Sequence, residues 1–202
     1  MRVGRGLAKT ETEASVQALS QLKERSQSDQ PPALTSDGWG GHREALIKVY
    51  GKVPPYQGRG RPPTKKRAQP GWQYMQVVKQ RENGRVVGTQ TRVIYGNKLL
   101  TPSLLGEHTA YVERTNLTTR HMNGRLVRKT LGFSKKREML EAACIWEDVV
   151  YNFARHVKTL RLEVNQDGRR WRYRSPAMAA GITDHIWSVL ELLTRVPVPV
   201  NS

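Results

Sequence analysis

The chain has 202 residues and a net charge of +17, from 34 Lys and Arg against 17 Asp and Glu, and 37% of its residues are hydrophobic. That composition allows one modest core and excludes a polyelectrolyte tail. The single cysteine, Cys144, excludes an internal disulfide and a cysteine-based zinc cluster. No apolar run approaches the roughly 20 residues of a membrane-spanning helix, so we expect a cytoplasmic protein with no membrane partner.

The positive charge is concentrated in one stretch of the sequence. From His42 to Arg137 there are 21 Lys and Arg against 4 Glu, a local charge of 21 − 4 = +17, whereas the remainder has 13 basic and 13 acidic residues. Such a block indicates a polyanionic partner, and we expect nucleic acid bound with a steep salt dependence. A basic face that only contacts solvent is the alternative.

The first elements predicted along the chain are a helix, a short strand and a second helix. Thr10 is an N-cap residue for a helix over residues 11–26. Residues 34–36 form an extended run that ends at Asp37, and residues 43–50 form a helix before a Gly and Pro-rich stop.

A basic segment and a β-hairpin are predicted next. Residues 58–70 contain no large apolar side chain, which is typical of a mobile or polyproline-like linker. Residues 72–79 and 85–95 are rich in Val, Tyr and Thr and flank Asn83-Gly84, a strong hairpin turn. A short helix is expected over residues 98–105.

The C-terminal half is predicted to be mainly helical. Residues 109–112 resemble a strand that leads into a helix over residues 115–127. Ser134 is expected to cap a long amphipathic helix, and Thr183 a last helix that ends near Leu193. The buried stripe of the long helix is predicted from spacings of three and four residues: Ala143, Trp146, Val150, Phe153, Val157 and Leu160.

Two carboxylates, Asp37 and Glu113, are the candidate catalytic and metal-binding residues. Asp37 ends a strand, and Glu113 begins a helix in which Arg120 is seven residues further on, so 700° of rotation returns Arg120 to the same face. A metal-binding carboxylate accompanied by a phosphate-binding cation suits phosphoryl transfer. The alternative is that Glu113 only favours the helix N-terminus and that Arg120 is a surface cation. The nearby histidines, His42 among them, are expected to be surface residues.

One block resembles a known family. The segment Tyr111-Val112-Glu113-Arg114-Thr115-Asn116-Leu117-Thr118-Thr119-Arg120, together with basic residues 124–130 and Phe133-Ser134-Lys135, is similar to the signature of insertion-sequence-one family transposases. Thr35-Ser36-Asp37-Gly38-Trp39 resembles the strand of that family that holds its second catalytic aspartate.

The resemblance implies an α/β fold with an RNase H-like core of the aspartate-aspartate-glutamate type. Its carboxylates would hold two Mg²⁺ ions for DNA cleavage and strand transfer. Asp37 would be the second carboxylate, Glu113 the third and Arg120 the family's basic residue, with Arg114 and Asn116 near DNA. The implied segments are 1–50 (core remnant with Asp37), 51–106 (basic linker and inserted hairpin), 107–162 (core strand and helices with Glu113) and 163–202 (basic tail with a short helix).

The chain departs from the family pattern at the first catalytic aspartate. The only Asp before Asp37 is Asp29, in a proline-containing loop where a strand is not expected. We therefore expect a core that is truncated at its N-terminus and inactive in strand transfer by itself.

Further basic residues are expected to track a DNA backbone without reading its sequence. Trp72, Tyr74 and Tyr95 could stack on bases, although packing into the core is the favoured interpretation. The predicted DNA-binding set, besides Arg114 and Asn116, comprises Arg59, Arg61, Lys65, Lys66, Arg67, Arg125, Arg128, Lys129, Lys135, Lys136 and Arg137.

The sequence thus predicts a nucleoid-associated transposase whose partners are DNA, at element ends and target sites, and other copies of the chain or full-length transposase. A second hypothesis is a non-catalytic DNA-binding fragment that inhibits or assists a full-length transposase. A third, based on charge alone, is an RNA-binding protein of the ribosomal kind.

Overall fold

A computed structural model describes residues 1–58, 60–106, 110–127, 129–166 and 168–195. The chain divides into two compact units, and the break falls inside a helix. One unit comprises residues 3–115. The other comprises residues 1–2 and 116–202. The architecture is a mixture of helices and strands, as the α/β prediction required.

The unit of residues 3–115 begins with the three predicted elements. Helix α1 spans Glu11–Ser26, strand β1 spans Leu34–Asp37 and helix α2 spans Gly41–Tyr50. The hydroxyl of Thr10 accepts a hydrogen bond from the Glu13 amide at 3.2 Å, so the predicted N-cap is confirmed.

A three-stranded sheet in the order β1-β2-β3 comes next. Strands β2 (Tyr74–Glu82) and β3 (Arg85–Tyr95) form the predicted antiparallel hairpin. β1 runs parallel to β2, which the intervening α2 makes possible, and Asp37 is level with Val77 in this pairing. The sheet face that bears Leu34 and Tyr74 packs against the helices.

The core of this unit lies between that face and α2. Leu46 and Tyr50 of α2 pack against Trp72 and Tyr74, and each is at most 2% exposed. The ring of Trp72 meets Tyr95 edge to face, with centroids 5.5 Å apart. Packing is therefore confirmed as the role of these aromatic rings, since a base could not reach Trp72 or Tyr74.

The basic segment after α2 is tied to the fold at its far end. The backbone amides and carbonyls of Lys52 and Arg67 exchange hydrogen bonds of 3.1 and 2.9 Å. The Lys66 ammonium donates to the carbonyl of Lys48 at 2.8 Å. The described residues between these points form neither helix nor strand, as the linker prediction expected.

The predicted strand at residues 109–112 is wrong in its described part. Helix α3 spans Leu100–Leu105, as predicted, and helix α4 spans Ala110–Met122. Thr109 lies outside the described residues. The helix-forming residues further along outweigh the β-propensity of three or four residues, so the helix begins earlier than expected and Glu113 lies in its first turn. Residues 124–126 form a 3₁₀ turn instead of continuing the helix.

The long helix of the second unit is shorter than predicted. Helix α5 spans Arg137–Val149, and a π-helical turn over Val150–Ala154 replaces its continuation. Ser134 does not cap it, because Lys136 holds the N-cap position and the Ser134 hydroxyl instead accepts from Arg125. Trp146, expected to be buried, is 40% exposed, while Cys144 and Glu147 are buried.

The remaining elements are short. A 3₁₀ turn spans Lys158–Leu160, and strands β4 (Leu162–Gln166) and β5 (Arg169–Arg172) form a hairpin that the sequence did not predict. Helices α6 (Pro176–Ala179) and α7 (Val189–Arg195) complete the unit's described elements. Thr183 does not cap α7. No helix within the described part of the chain is both long and apolar enough to cross a membrane.

Candidate functional site

Asp37 lies at the carboxyl end of β1, the strand-end position that the sequence predicted. Its carboxylate accepts a hydrogen bond from the Trp39 amide at 3.1 Å, which closes a tight turn, and lies 3.4 Å from the His42 Nε2 atom. The Asp37 side chain is 70% exposed. It is therefore held in position by a local turn and remains accessible to a ligand.

A polar network on the opposite face of the sheet supports this turn. The Tyr74 hydroxyl hydrogen-bonds the Ser36 hydroxyl at 2.8 Å and accepts from the Gln76 amide nitrogen at 2.9 Å. The same Gln76 group donates to the Trp39 carbonyl at 3.0 Å. Burial raises the pKa of Tyr74, so its hydroxyl stays neutral and the network stays intact.

Glu113 is anchored to the sheet. It is half-exposed in the first turn of α4, and its carboxylate forms an ion pair with the Lys79 ammonium of β2. α3, the preceding helix, contacts both β2 and β3.

Asp37 and Lys79 share one face of that sheet. Side chains alternate along a strand, and residues level with one another in a parallel pair point the same way. Asp37 is level with Val77, and Lys79 is two residues further along β2 with no bulge between them. From the strand spacing and rise, the Cα atoms of Asp37 and Lys79 are about 8 Å apart. Glu113 thus pairs with a lysine that lies on the Asp37 face of the sheet, two residues beyond the level of Asp37.

Sequence reasoning missed Lys79 and discounted His42. Lys79 could have been found from the alternation Met75, Val77, Lys79, which places a cation directly beyond two buried apolar residues. His42 touches Asp37 and also lies 3.3 Å from the Ser15 hydroxyl through its Nδ1 atom. The five-residue spacing from Asp37 is uninformative until the turn between them is known.

The side chains that could coordinate a metal ion form only part of a metal site. Among the described residues, no group of three or more His, Cys, Asp and Glu side chains is arranged to hold a metal ion. Asp29, the only other candidate aspartate near the N-terminus, pairs with Lys23 at 3.2 Å and Lys52 at 3.8 Å, and the hydrogen bond from Lys23 lowers its pKa. The residues therefore supply two carboxylates on one sheet face, and no reaction step is assigned to a bound metal.

The other residues of the predicted site lie along α4. Arg114 and Asn116 are exposed in its first half, and Arg120 is exposed in its last turn. The two units divide between Thr115 and Asn116, so Arg120 belongs to a different unit from Glu113.

The predicted backbone-binding cations are exposed wherever the structure describes them. Arg125 donates to the Ser134 hydroxyl at 2.8 Å, and Lys66 and Arg67 each hydrogen-bond to backbone atoms. Arg59 and Arg128 lie outside the described residues. The exposed members of the set are Arg61, Lys65, Lys66, Arg67, Arg125, Lys129, Lys135, Lys136 and Arg137.

Comparison with known proteins found no match to the chain among protein-family models, curated proteins or solved structures.

Proposed function

We propose that the chain acts on DNA through a phosphoryl-transfer site of the transposase type, of which Asp37 and Glu113 are two carboxylates. The proposal includes an RNase H-like arrangement of the sheet of residues 3–115, Mg²⁺ as the metal and DNA as the substrate. It rests on the motif resemblance and on one observation: Glu113 pairs with Lys79, which lies on the sheet face that bears Asp37.

The charge pattern supports a DNA substrate. Phosphoryl transfer requires that the negative charge of the reacting phosphate be neutralised. Because carboxylates are themselves negative, Asp37 and Glu113 could contribute only by holding divalent cations. In such a site Mg²⁺ would supply the electrostatic stabilisation of the pentacovalent phosphorus and the activation of the attacking oxygen. The chain's own residues would position the ions, and the exposed cations would bind the flanking backbone.

Lys79 gives the proposal a specific consequence. Its ammonium neutralises the Glu113 carboxylate, so a metal that binds there must displace it. A unit charge at 4 Å in water contributes about 1 kcal/mol, which corresponds to about a fivefold change in affinity. Lys79→Met should therefore tighten divalent-metal binding about fivefold, because it frees the carboxylate.

The experiment is a Mn²⁺ titration of the purified full chain monitored by electron paramagnetic resonance, in which Mn²⁺ reports on a Mg²⁺ site. We expect weak binding in the native chain, tighter binding in Lys79→Met, and loss in Asp37→Asn and Glu113→Gln. Glu44→Gln, an exposed carboxylate of α2 in the same unit, is the matched control and should change nothing. Mn²⁺ binding that ignores Asp37, Glu113 and Lys79 alike would contradict a shared metal site.

A second candidate function is DNA binding without catalysis. It is favoured by the exposed cations of the predicted set, which require no metal to contact phosphates, and by the partial metal donor set. The two candidates differ in what Glu113→Ala and a chelator do: both abolish metal-dependent chemistry and neither weakens a purely electrostatic contact with DNA.

A further inference from the structure

The outer part of the β2–β3 hairpin is an exposed two-stranded ribbon, and at its base Lys79 pairs with Glu113 of α4. Tyr74, Met75, Gln76 and Val77 are buried at its base, whereas residues 79–82 and 85–87 are all exposed. Pairing continues to the last pair, Glu82 with Arg85, so the ribbon keeps its backbone hydrogen bonds while its side chains face solvent. Such a segment contributes little to the core, which leaves its side chains free to serve a surface role.

The side chains of this ribbon are cationic and able to hydrogen-bond. Arg81 and Arg85 lie near its tip together with one carboxylate, Glu82, and Arg92 lies at its base, level with Gln76. No carboxylate among the described residues lies within ion-pair distance of these three arginines, in contrast to Lys79, which Glu113 neutralises. Gln80 and Gln90 lie on the same strands and add amide groups that both donate and accept hydrogen bonds.

A bulge shapes the ribbon near its tip. Gln80 pairs with Gly88, whereas the next residue, Arg81, pairs with Val86. The register therefore shifts by one residue, and Val87 has no partner on β2. A bulge increases the local right-handed twist of a ribbon. Val86 and Val87 are 48% and 56% exposed, which leaves two small apolar side chains beside the arginines.

We propose that this ribbon, residues 79–89, enters the major groove of B-form DNA. The major groove is about 12 Å wide and about 8.5 Å deep and admits a two-stranded ribbon. Three steps of about 3.4 Å from Lys79 to Glu82 give about 10 Å of exposed length before the turn, enough to reach the groove floor. The arginines can bind phosphates or guanine edges, and the valines can contact thymine methyl groups.

The shape of the major groove favours DNA over RNA as the partner of the ribbon. The major groove of A-form RNA is too deep and narrow for side chains to read, so a ribbon of this width does not fit it. The choice of DNA as partner rests on the proposed function, but the ribbon needs neither Asp37 nor Glu113 nor a metal. Failure of the metal site and failure of the ribbon are therefore separate results.

The first test measures affinity for a mixed-sequence DNA duplex by fluorescence anisotropy, with the full chain, in chelator, over a range of salt concentrations. Arg81→Gln with Arg85→Gln removes two contacts, so the slope of log affinity against log salt should fall in magnitude by about 1.8. Glu82→Gln removes the opposing charge and should raise affinity, whereas Glu24→Gln, an exposed carboxylate on α1, should not. If the double variant fails to fold, the comparison of Glu82→Gln with Glu24→Gln still decides whether the ribbon contacts DNA.

The second test asks which groove is occupied. Dimethyl sulfate methylates guanine N7 in the major groove and adenine N3 in the minor groove. On a saturated duplex of about 12 base pairs, little more than one helical turn, we expect protection of N7 but not of N3, and loss of that protection in the double variant. Protection of N3 alone, or N7 protection that is unchanged in the double variant, would overturn the proposal. So would a loss of affinity for duplex RNA in the double variant that equals its loss for duplex DNA.

Discussion

At the residue scale, Arg2 is bound by several side chains of its own unit. Its guanidinium pairs with Glu147 and with Asp148, at 3.2 Å from the latter, and lies 4.1 Å from the centre of the Tyr151 ring. The Asn152 side chain donates to the backbone carbonyl of Arg2 and accepts from its amide, both at 2.9 Å. Because Glu147 is only 4% exposed, its charge is tolerable only with such a partner.

Arg2→Ala should therefore lower the free energy of unfolding by about 3 kcal/mol, since it leaves a buried carboxylate without its strongest partner. Chemical denaturation monitored by circular dichroism measures this. Lys9→Ala removes an equivalent charge from an exposed position seven residues away and should change stability little. Equal effects of the two substitutions would show that Glu147 does not depend on Arg2.

At the element scale, α7 shows how two caps compete. Ser188 accepts from the Glu191 amide at 3.1 Å, and the Glu191 carboxylate accepts from the Ser188 amide at 3.0 Å, a capping box that starts the helix five residues after Thr183. Thr183 instead accepts from the Trp187 indole nitrogen at 2.7 Å. A serine with a glutamate three residues later satisfies two helix-end amides, whereas an isolated threonine satisfies one.

The same glutamate serves a histidine outside the helix. His185 contacts Asp184 through Nδ1 at 2.6 Å and Glu191 through Nε2 at 3.2 Å. The hydrogen bond to Asp184 has the larger effect, and together the two hydrogen bonds raise the pKa of His185. Its contribution to stability is therefore present below the pKa of an unfolded histidine and is lost as pH rises through the higher folded-state value.

NMR titration of the His185 ring protons should show a midpoint above that of an unstructured histidine. Asp184→Asn should lower this midpoint most and Glu191→Gln less, because the hydrogen bond to Asp184 contributes most to the raised pKa. Glu138→Gln, an exposed carboxylate of α5, is the control. A midpoint insensitive to both partners would refute the ion pairs.

At the scale of the whole molecule, the fold divides the basic block between the two units. Residues 3–115 contain 18 Lys and Arg and 9 Asp and Glu, or 18 − 9 = +9, and the other unit contains 16 and 8, or 16 − 8 = +8. The positive charge that is one block in sequence is thus shared between the two compact units. Each has the net charge to attract a polyanion by itself.

DNA affinity of the full chain should accordingly be salt-dependent and indifferent to chelator. For six to ten phosphate contacts, the association constant should fall about a thousandfold or more between about 50 and 200 mM salt. Anisotropy titrations with and without chelator measure this, and Glu113→Ala should not weaken the binding at any salt concentration. A flat salt response, or affinity that requires divalent metal, would contradict an electrostatic interface.

Local signals predicted elements well where neighbouring residues were sufficient to define them. The Thr10 cap, the Asn83-Gly84 turn and α2 are confirmed, because each depends on contacts within a few residues. The prediction at residues 109–112 was wrong over residues 110–112, since these residues of mixed propensity adopt the conformation of the longer helical segment after them. The Ala143–Leu160 stripe was wrong at Trp146, which is 40% exposed, and its later members do not lie on one α-helix, because a π-helical turn replaces the helix from Val150.

What the sequence by itself determined is the charge, the local caps and turns, and the identity of Asp37 and Glu113 as candidate residues, since all of these depend on composition or on short-range chemistry. Only the tertiary structure decided that β1 lies parallel to β2, that Glu113 pairs with Lys79 on the sheet face of Asp37, and that Arg2 neutralises Glu147. Those contacts join residues 34 to 145 positions apart. The strand pairing and the Arg2–Glu147 ion pair form because unpaired strand edges and buried charges require partners. In all three cases the partner is set by how the distant segments pack, and no local pattern in the sequence identifies it.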